Sequence, residues 1–289
     1  SMVVIGAGVV GIEYASMFAL MGVEVTIVDS RERPLEFLDR EIIDELVHQM
    51  RDIRVVFRLG ETVEKVETRA SARRPVVVSL GSGKRLIADV ALVCAGRAGN
   101  TGSLNLRAAG LEADERGRLI VDDKFRTQKS HIYAGGDVIG FPALAATSSE
   151  QGRLAACNAF GVEVGPMPTN FPVGIYSIPE ISMVGEAEHE LTAKKIPYEV
   201  GIARFREIAR GQILGDDTGL LKLIFHRKDH RLLGVHTIGT SATELVHIGQ
   251  CVMGLGGGLD YFLETVFNYP TLAECYKVAA LDAYNKLSL

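Results

Sequence analysis

Tryptophan is absent from this 289-residue sequence, and cysteine and proline are sparse, with four and nine residues. Cys94, Cys157, Cys251 and Cys275 form no C-x-x-C or C-x-x-x-x-C pair, which excludes a locally written zinc site or redox disulfide. Each is read instead as a small buried hydrophobe. Basic charge is not in excess: 31 Lys and Arg against 36 Asp and Glu give a formal charge of −5. A surface built to neutralise phosphate backbones needs the opposite balance, so no nucleic-acid partner is expected. Long apolar runs are also missing, and the opening run Met2–Ile5 lacks the basic flank and cleavage site of a secretory leader. The expected setting is the cytoplasm, away from membrane.

At 47% hydrophobic and 23% charged, the chain has ordinary globular composition and length for about two compact units. Met2-Val-Val-Ile5 reads as a buried strand, Gly6-Ala-Gly8-Val-Val-Gly11 follows, and Ile12, Ala15, Phe18 and Ala19 then recur at helical spacing. In a strand–turn–helix of this kind Gly6 permits the tight turn and Gly8 lets backbone approach a pyrophosphate. Gly11 lets helix lie close to strand, with the helix amino terminus facing the anion. Such a glycine turn also arises for steric reasons alone, so its context carries the weight. Gly22 ends the helix, and Val23–Val28 reads as a second strand closing on Asp29, where a ribose-reading acid belongs.

A carboxylate there accepts from both ribose hydroxyls and repels a 2'-phosphate by about 4 kcal/mol at ~4 Å and an effective dielectric of ~20. Taken alone, Asp29 indicates NAD. Arg31 and Arg33 follow at once, either as counter-charges that admit NADP as well or as a solvated loop. A helix with Ile42, Ile43, Leu46, Val47 and Met50 on one face, then strands at Val55–Phe57, Thr62–Glu67, Val76–Leu80 and Asp89–Cys94, complete an α/β unit. From about Pro168 the pattern turns to mixed α+β, with a hairpin from Leu220–Phe225 to Leu232–Ile238. Ser241-Ala-Thr-Glu244 and Thr271-Leu-Ala-Glu274 each spell a helix capping box, and His236 and His247 read as satisfied core or interface residues.

Two stretches, ADVALVCAGRAGNT from Ala88 and TQKSHIYAGGDVIG from Thr127, resemble the two-dinucleotide flavoprotein family that includes dihydrolipoyl dehydrogenase and glutathione reductase. GIYSIPEISMVG from Gly174 and NYPTLAECYKVAAL from Asn268 resemble its branch that exchanges hydride between nicotinamide nucleotides. The resemblance implies a Rossmann-type NAD(P)-binding domain over residues 1–100, part of an FAD-binding domain over 101–167, and an α+β dimerisation domain over 168–289. By it, Gly96 joins Gly6, Gly8, Gly11, Asp29 and Arg31 in holding NAD or NADP, and Gly136 and Asp137 meet FAD. Glu13 lies beside the nicotinamide, unless it is simply an acid favoured in a helix's first turns. A strand ending in a glycine turn explains Gly135 and Gly136 without a ligand, but gives a buried Asp137 no reason.

The family opens with a second G-x-G-x-x-G for the FAD pyrophosphate, and no such turn occurs here. The chain is therefore expected to be a fragment that does not hold FAD stably, a homodimer by resemblance, with hydride exchange between NADPH and NAD as its chemistry. Disulfide reductases of the family place a histidine before Pro-Thr and orient it with a glutamate. Tyr269 and Glu274 stand at those positions, and no catalytic residue is assigned; the capping role is the favoured one for Glu274. Hydride exchange consumes no proton and needs no such base. The alternatives are a catalytically inactive nucleotide-binding and dimerisation fragment, and a disulfide oxidoreductase like dihydrolipoyl dehydrogenase.

Overall fold

In a computed structural model, described for residues 1–69 and 73–287, the chain divides into two compact units. One comprises Ser1–Ala95 together with the segment from Pro172 onward, and the other is Gly96–Phe171.

The first unit opens with β1 (Met2–Ile5), α1 (Val9–Leu20) and β2 (Val25–Asp29), the β-branched runs forming strands and the glycines forcing the turn between them. Gly22, at φ +88°, takes the left-handed position that releases the chain from α1 into β2. Helix α2 (Arg40–Asp52) starts at Asp39, whose side chain accepts from the Glu41 N–H at 3.1 Å, and leads to β3 (Val56–Leu59). An antiparallel ribbon of β4 (Val63–Thr68), β5 (Val76–Leu80) and β6 (Arg85–Ala88) follows, and β7 (Val90–Val93) returns beside β1. The parallel sheet therefore runs β3-β2-β1-β7, with Met2 opposite both Val25 and Val90. Helices connect its first three strands, as parallel pairing demands of a crossover.

The second unit has little regular structure beyond short bridges and α3 (Ala145–Ala159), gathered on Phe125, Leu154 and Ala155.

The chain then re-enters the first unit through β8 (Val173–Ile175), β9 (Ile181–Gly185), α4 (Glu188–Ala193), β10 (Tyr198–Arg204) and α5 (Ala209–Leu214). It continues with β11 (Leu220–His226), β12 (Leu232–Ile238), α6 (Ala242–Gly254), α7 (Leu259–Glu264) and α8 (Glu274–Leu287). Its antiparallel sheet runs β10-β11-β12-β9-β8, and α8 packs on β10 and β11. Residues 1–95 and 172 onward, expected as separate domains, share a core: Val4, Ile12, Ile27 and Leu46 belong to one apolar cluster with Ile175, Ile181, Leu220 and Ile238. Burying such side chains is worth about 1.5–3 kcal/mol each, which makes the two segments one body.

Both expected capping boxes are absent. Ser241 adopts φ +59°, its side chain caps nothing, and the Glu180 carboxylate instead accepts from the Thr243 N–H (3.3 Å) and hydroxyl (2.9 Å). The Thr271 hydroxyl donates to the Asn268 carbonyl at 2.7 Å, and Glu274 Oε2 is buried without a hydrogen-bond partner. The cysteines also differ from expectation, since Cys275 alone is buried and Cys251 is exposed. Cys275 belongs to the apolar cluster on the antiparallel sheet, and burial, with Glu274 beside it, pushes its thiol up to about 12.

Candidate nucleotide site

The glycine turn lies at the carboxyl edge of β1, where the strand order reverses between β2 and β7 and a crevice opens in a parallel sheet. Each glycine has a distinct steric reason. Gly6 adopts φ +110°, and a Cβ there would lie 2.4 Å from the Cys94 carbonyl oxygen. A Cβ on Gly11 would lie 1.9 Å from the Gly6 carbonyl oxygen, so α1 can pack this close only without a side chain. A Cβ on Gly8 would meet nothing nearer than Arg31 Nη2, at 4.0 Å. A side chain at Gly8 would therefore clash with no atom of the protein.

Gly8 is the cap residue of α1, supplies no side-chain cap, and no acidic residue occupies the first turn. The helix thus presents its N–H groups and positive end without a protein anion to meet them, which suits a pyrophosphate.

Asp29 ends β2 beside this turn and is nearly fully hydrogen-bonded. Oδ2 accepts from the Ala7 N–H at 2.6 Å and from Arg31 Nη2 at 2.6 Å, while Oδ1 accepts from the Arg31 N–H at 2.8 Å and Arg31 Nε at 2.9 Å. Burial alone pushes this carboxyl up, but the Arg31 guanidinium and the two backbone N–H groups outweigh it and hold Asp29 at about 2. Arg33 takes no part, for it pairs with Asp44 at 2.9 Å on the surface.

Glu13 lies in the second turn of α1, past the first-turn position at which a helix favours an acid. Its Oε1 accepts from the Tyr176 N–H at 2.9 Å, and one turn on, Ser16 Oγ accepts from the Ile178 N–H at 3.1 Å. Two residues of α1 are thereby tied to the loop after β8, a connection that nothing in the local sequence of either segment announces.

A second connection in the same unit is ionic. Lys222 on β11 is fully buried, and its ammonium donates to Asp39 (2.9 Å), Glu41 (2.7 Å) and Glu188. Burial disfavours the charged lysine, but Asp39 and the other two carboxylates more than compensate and raise its pKa. His236 lies next to this cluster with Nε2–H donating to the Glu186 carbonyl at 3.0 Å, which leaves Nδ1 bare and unpartnered; burial lowers its pKa and keeps the ring neutral. A lone lysine inside the apolar run LLKLIF was the sequence signal for this site.

In the second unit, Gly96 adopts φ +120° and Gly136 φ +81°, with the Gly136 N–H donating to Gln151 at 2.7 Å. Asp137 is not a buried strand-end acid. It sits on a short 3-10 turn, exposed, with Arg97 Nη2 at 2.9 Å. A hollow of about 510 Å³ lined by Arg97, Asn100, Arg118, Asp137 and Phe141 adjoins it, a donor set suited to a polar chain and an anion. Tyr269 is 72% exposed and stands outside the core.

Residues 1–152 match the family model for pyridine nucleotide-disulphide oxidoreductases, and residues 171–280 match that family's dimerisation domain. A soluble pyridine nucleotide transhydrogenase of Mycobacterium tuberculosis is 56% identical over 287 residues, which is 99% of this chain and 61% of that protein. One from Marinomonas is 50% identical over 99% of this chain and 62% of its own length. The chain therefore spans about three fifths of the curated relatives it matches. Among solved structures, the HOCl-induced flavoprotein disulfide reductase RclA of Escherichia coli superposes with TM-score 0.91 at 28% identity, over 97% of this chain and 64% of that one. LpdA of Mycobacterium tuberculosis gives 0.88 at 25%, over 97% and 61%.

Proposed function

Because the chain belongs to the pyridine nucleotide-disulphide oxidoreductase family, we propose that it carries the nicotinamide-nucleotide site of a flavin-dependent pyridine nucleotide transhydrogenase, moving hydride from NADPH to NAD. The observation that carries this reading is the open space at Gly8 between an uncapped helix terminus and the Asp29/Arg31 pair. In it the N–H groups at the start of α1 bind the pyrophosphate and Asp29 reads the adenosine ribose. Glu13, anchored by Tyr176, reaches toward the nicotinamide from the second turn of α1. Gly96, just beyond β7, adopts φ +120° with nothing within 4 Å of a would-be Cβ, as a backbone that a ligand approaches would need.

Gly136, Asp137 and the arginine-lined hollow would hold FAD, which when bound supplies a carrier able to take hydride from one nicotinamide and return it to another. The chain's own part is to bind and orient the nucleotides, and no residue has to move a proton. That agrees with Tyr269, an exposed phenol, at the position where disulfide-reducing relatives would need a base. The dimerisation-domain match and the exposed apolar residues Tyr261, Val266 and Leu281 support self-association through the carboxyl-terminal segment.

Calorimetric titration of the purified chain tests the reading: NAD and NADP both bind, each at one site per chain. With FAD added, NADPH-dependent reduction of a thio-NAD analogue tests whether this chain also turns over. Absence of binding by either nucleotide refutes the assignment; binding without turnover leaves the nucleotide site standing and favours the purely binding alternative for this length of chain.

A further inference from the structure

The hydrogen bonds on Asp29 leave it no room for a ribose. An ionised carboxylate offers about four lone-pair positions, and Ala7 N–H, Arg31 N–H, Arg31 Nε and Arg31 Nη2 take one each. Two of these donors are backbone and fixed. The strand end that bears them is itself held, because the Glu61 N–H donates to the Asp29 carbonyl at 3.1 Å and the Gly60 N–H to the Arg31 carbonyl at 2.9 Å. The other two donors belong to one guanidinium on a flexible stem that is 40% exposed. Swinging that side chain away frees one position on each oxygen, and a ribose presents two hydroxyls.

Resting on the nucleotide site argued above, we propose that Arg31 is a two-position latch that sets the balance between NAD and NADP. With its fork on Asp29, the latch is closed. NAD opens it by substituting its 2'- and 3'-hydroxyls for Nε and Nη2, and the freed guanidinium turns to solvent, where the exposed Glu36 also attracts it. NADP opens it in another way: the 2'-phosphate takes the guanidinium as its own bidentate partner, and Asp29 keeps its two backbone donors and accepts the 3'-hydroxyl. Arg31 thus competes with NAD and cooperates with NADP. Its position fits both roles, since Nη2 lies 4.0 Å from the Cβ direction of Gly8, at the edge of the pyrophosphate space. Arg33, engaged by Asp44, is the natural control.

The two roles predict opposite signs for one substitution. In calorimetric titrations of the 289-residue chain, Arg31→Ala should tighten NAD about threefold or more and weaken NADP about tenfold or more, the size of one charge-assisted pair. Arg31→Lys, which keeps the charge without the fork, should hold NADP closer to wild type than Arg31→Ala does. Arg33→Ala should change neither. Parallel weakening of both nucleotides by Arg31→Ala, with an unchanged melting curve, would make Arg31 a mere support for the turn and overturn the latch; so would no change in either, or a wild type that binds NAD alone. Failure of both nucleotides to bind wild type would be distinct, removing the nucleotide site and the latch with it.

Discussion

Gly8 and Gly11 stand three positions apart on one turn, and the structure makes them glycine for opposite reasons. At Gly11 the obstacle is the protein, with the Gly6 carbonyl 1.9 Å from a would-be Cβ; at Gly8 the space is open. Gly11→Ala should therefore lower stability, by about 1–3 kcal/mol as overpacking does. Gly8, at φ −80°, can accept alanine without backbone strain, so Gly8→Ala should stay within about 1 kcal/mol of wild type yet lose nucleotide affinity at least about tenfold. Urea unfolding and nucleotide titration of the two variants check this; equal loss of stability in both would mean that the space at Gly8 is not free. The glycine turn and the strand ending at Asp29 were legible in the sequence because they are set within one strand–turn–helix. The engagement of Asp29 by Arg31 was not, because two residues of spacing do not say which way a side chain folds back. Asp137 misled for a similar reason: its exposure depends on the path of the whole loop, and the motif alone suggested burial.

At the scale of elements, periodicity located the strands and helices, and chemistry at their ends was misread. Ser241-Ala-Thr-Glu244 has the letters of a capping box, but Ser241 enters α6 at φ +59° instead of the extended backbone of a capping serine, and its side chain makes no capping hydrogen bond. The orphan N–H of Thr243 is met from β9's preceding loop by Glu180, 63 positions away. A local pattern cannot reveal so distant a partner. Glu180→Ala should cost about 1 kcal/mol, a normal capping loss, while Ser241→Ala should cost less than about 0.5 kcal/mol. Denaturation midpoints decide it, and the reverse order would restore the capping box. Lys222 is the opposite case, where an anomaly was visible and its explanation was not. A lysine amid leucines signals a buried partner, but its three carboxylates come from Asp39 and Glu41 at the start of α2 and Glu188 on α4.

For the whole molecule, the division into units cuts across the order of the chain, because the apolar faces of the first and last segments were made for each other. Sequence boundaries mark changes of pattern and are blind to which patterns share a core. The last segment also keeps apolar surface uncovered, with Val266 93% exposed. The chain should sediment as a dimer, and Val266→Glu should shift it toward monomer without changing its circular dichroism; a wild-type monomer at micromolar concentration would count against self-association through this face. The buried Lys222 cluster bears on how such proteins can be rearranged by evolution. Because one segment provides the cation and one of its carboxylates, and the other provides the remaining two, neither can be exchanged for a foreign counterpart on the strength of its outline alone. A recombined gene would inherit either a buried ammonium short of two of its three carboxylates or a buried Asp39 without its cation, a penalty of about 3–5 kcal/mol that confines viable shuffling to parents sharing all four charges.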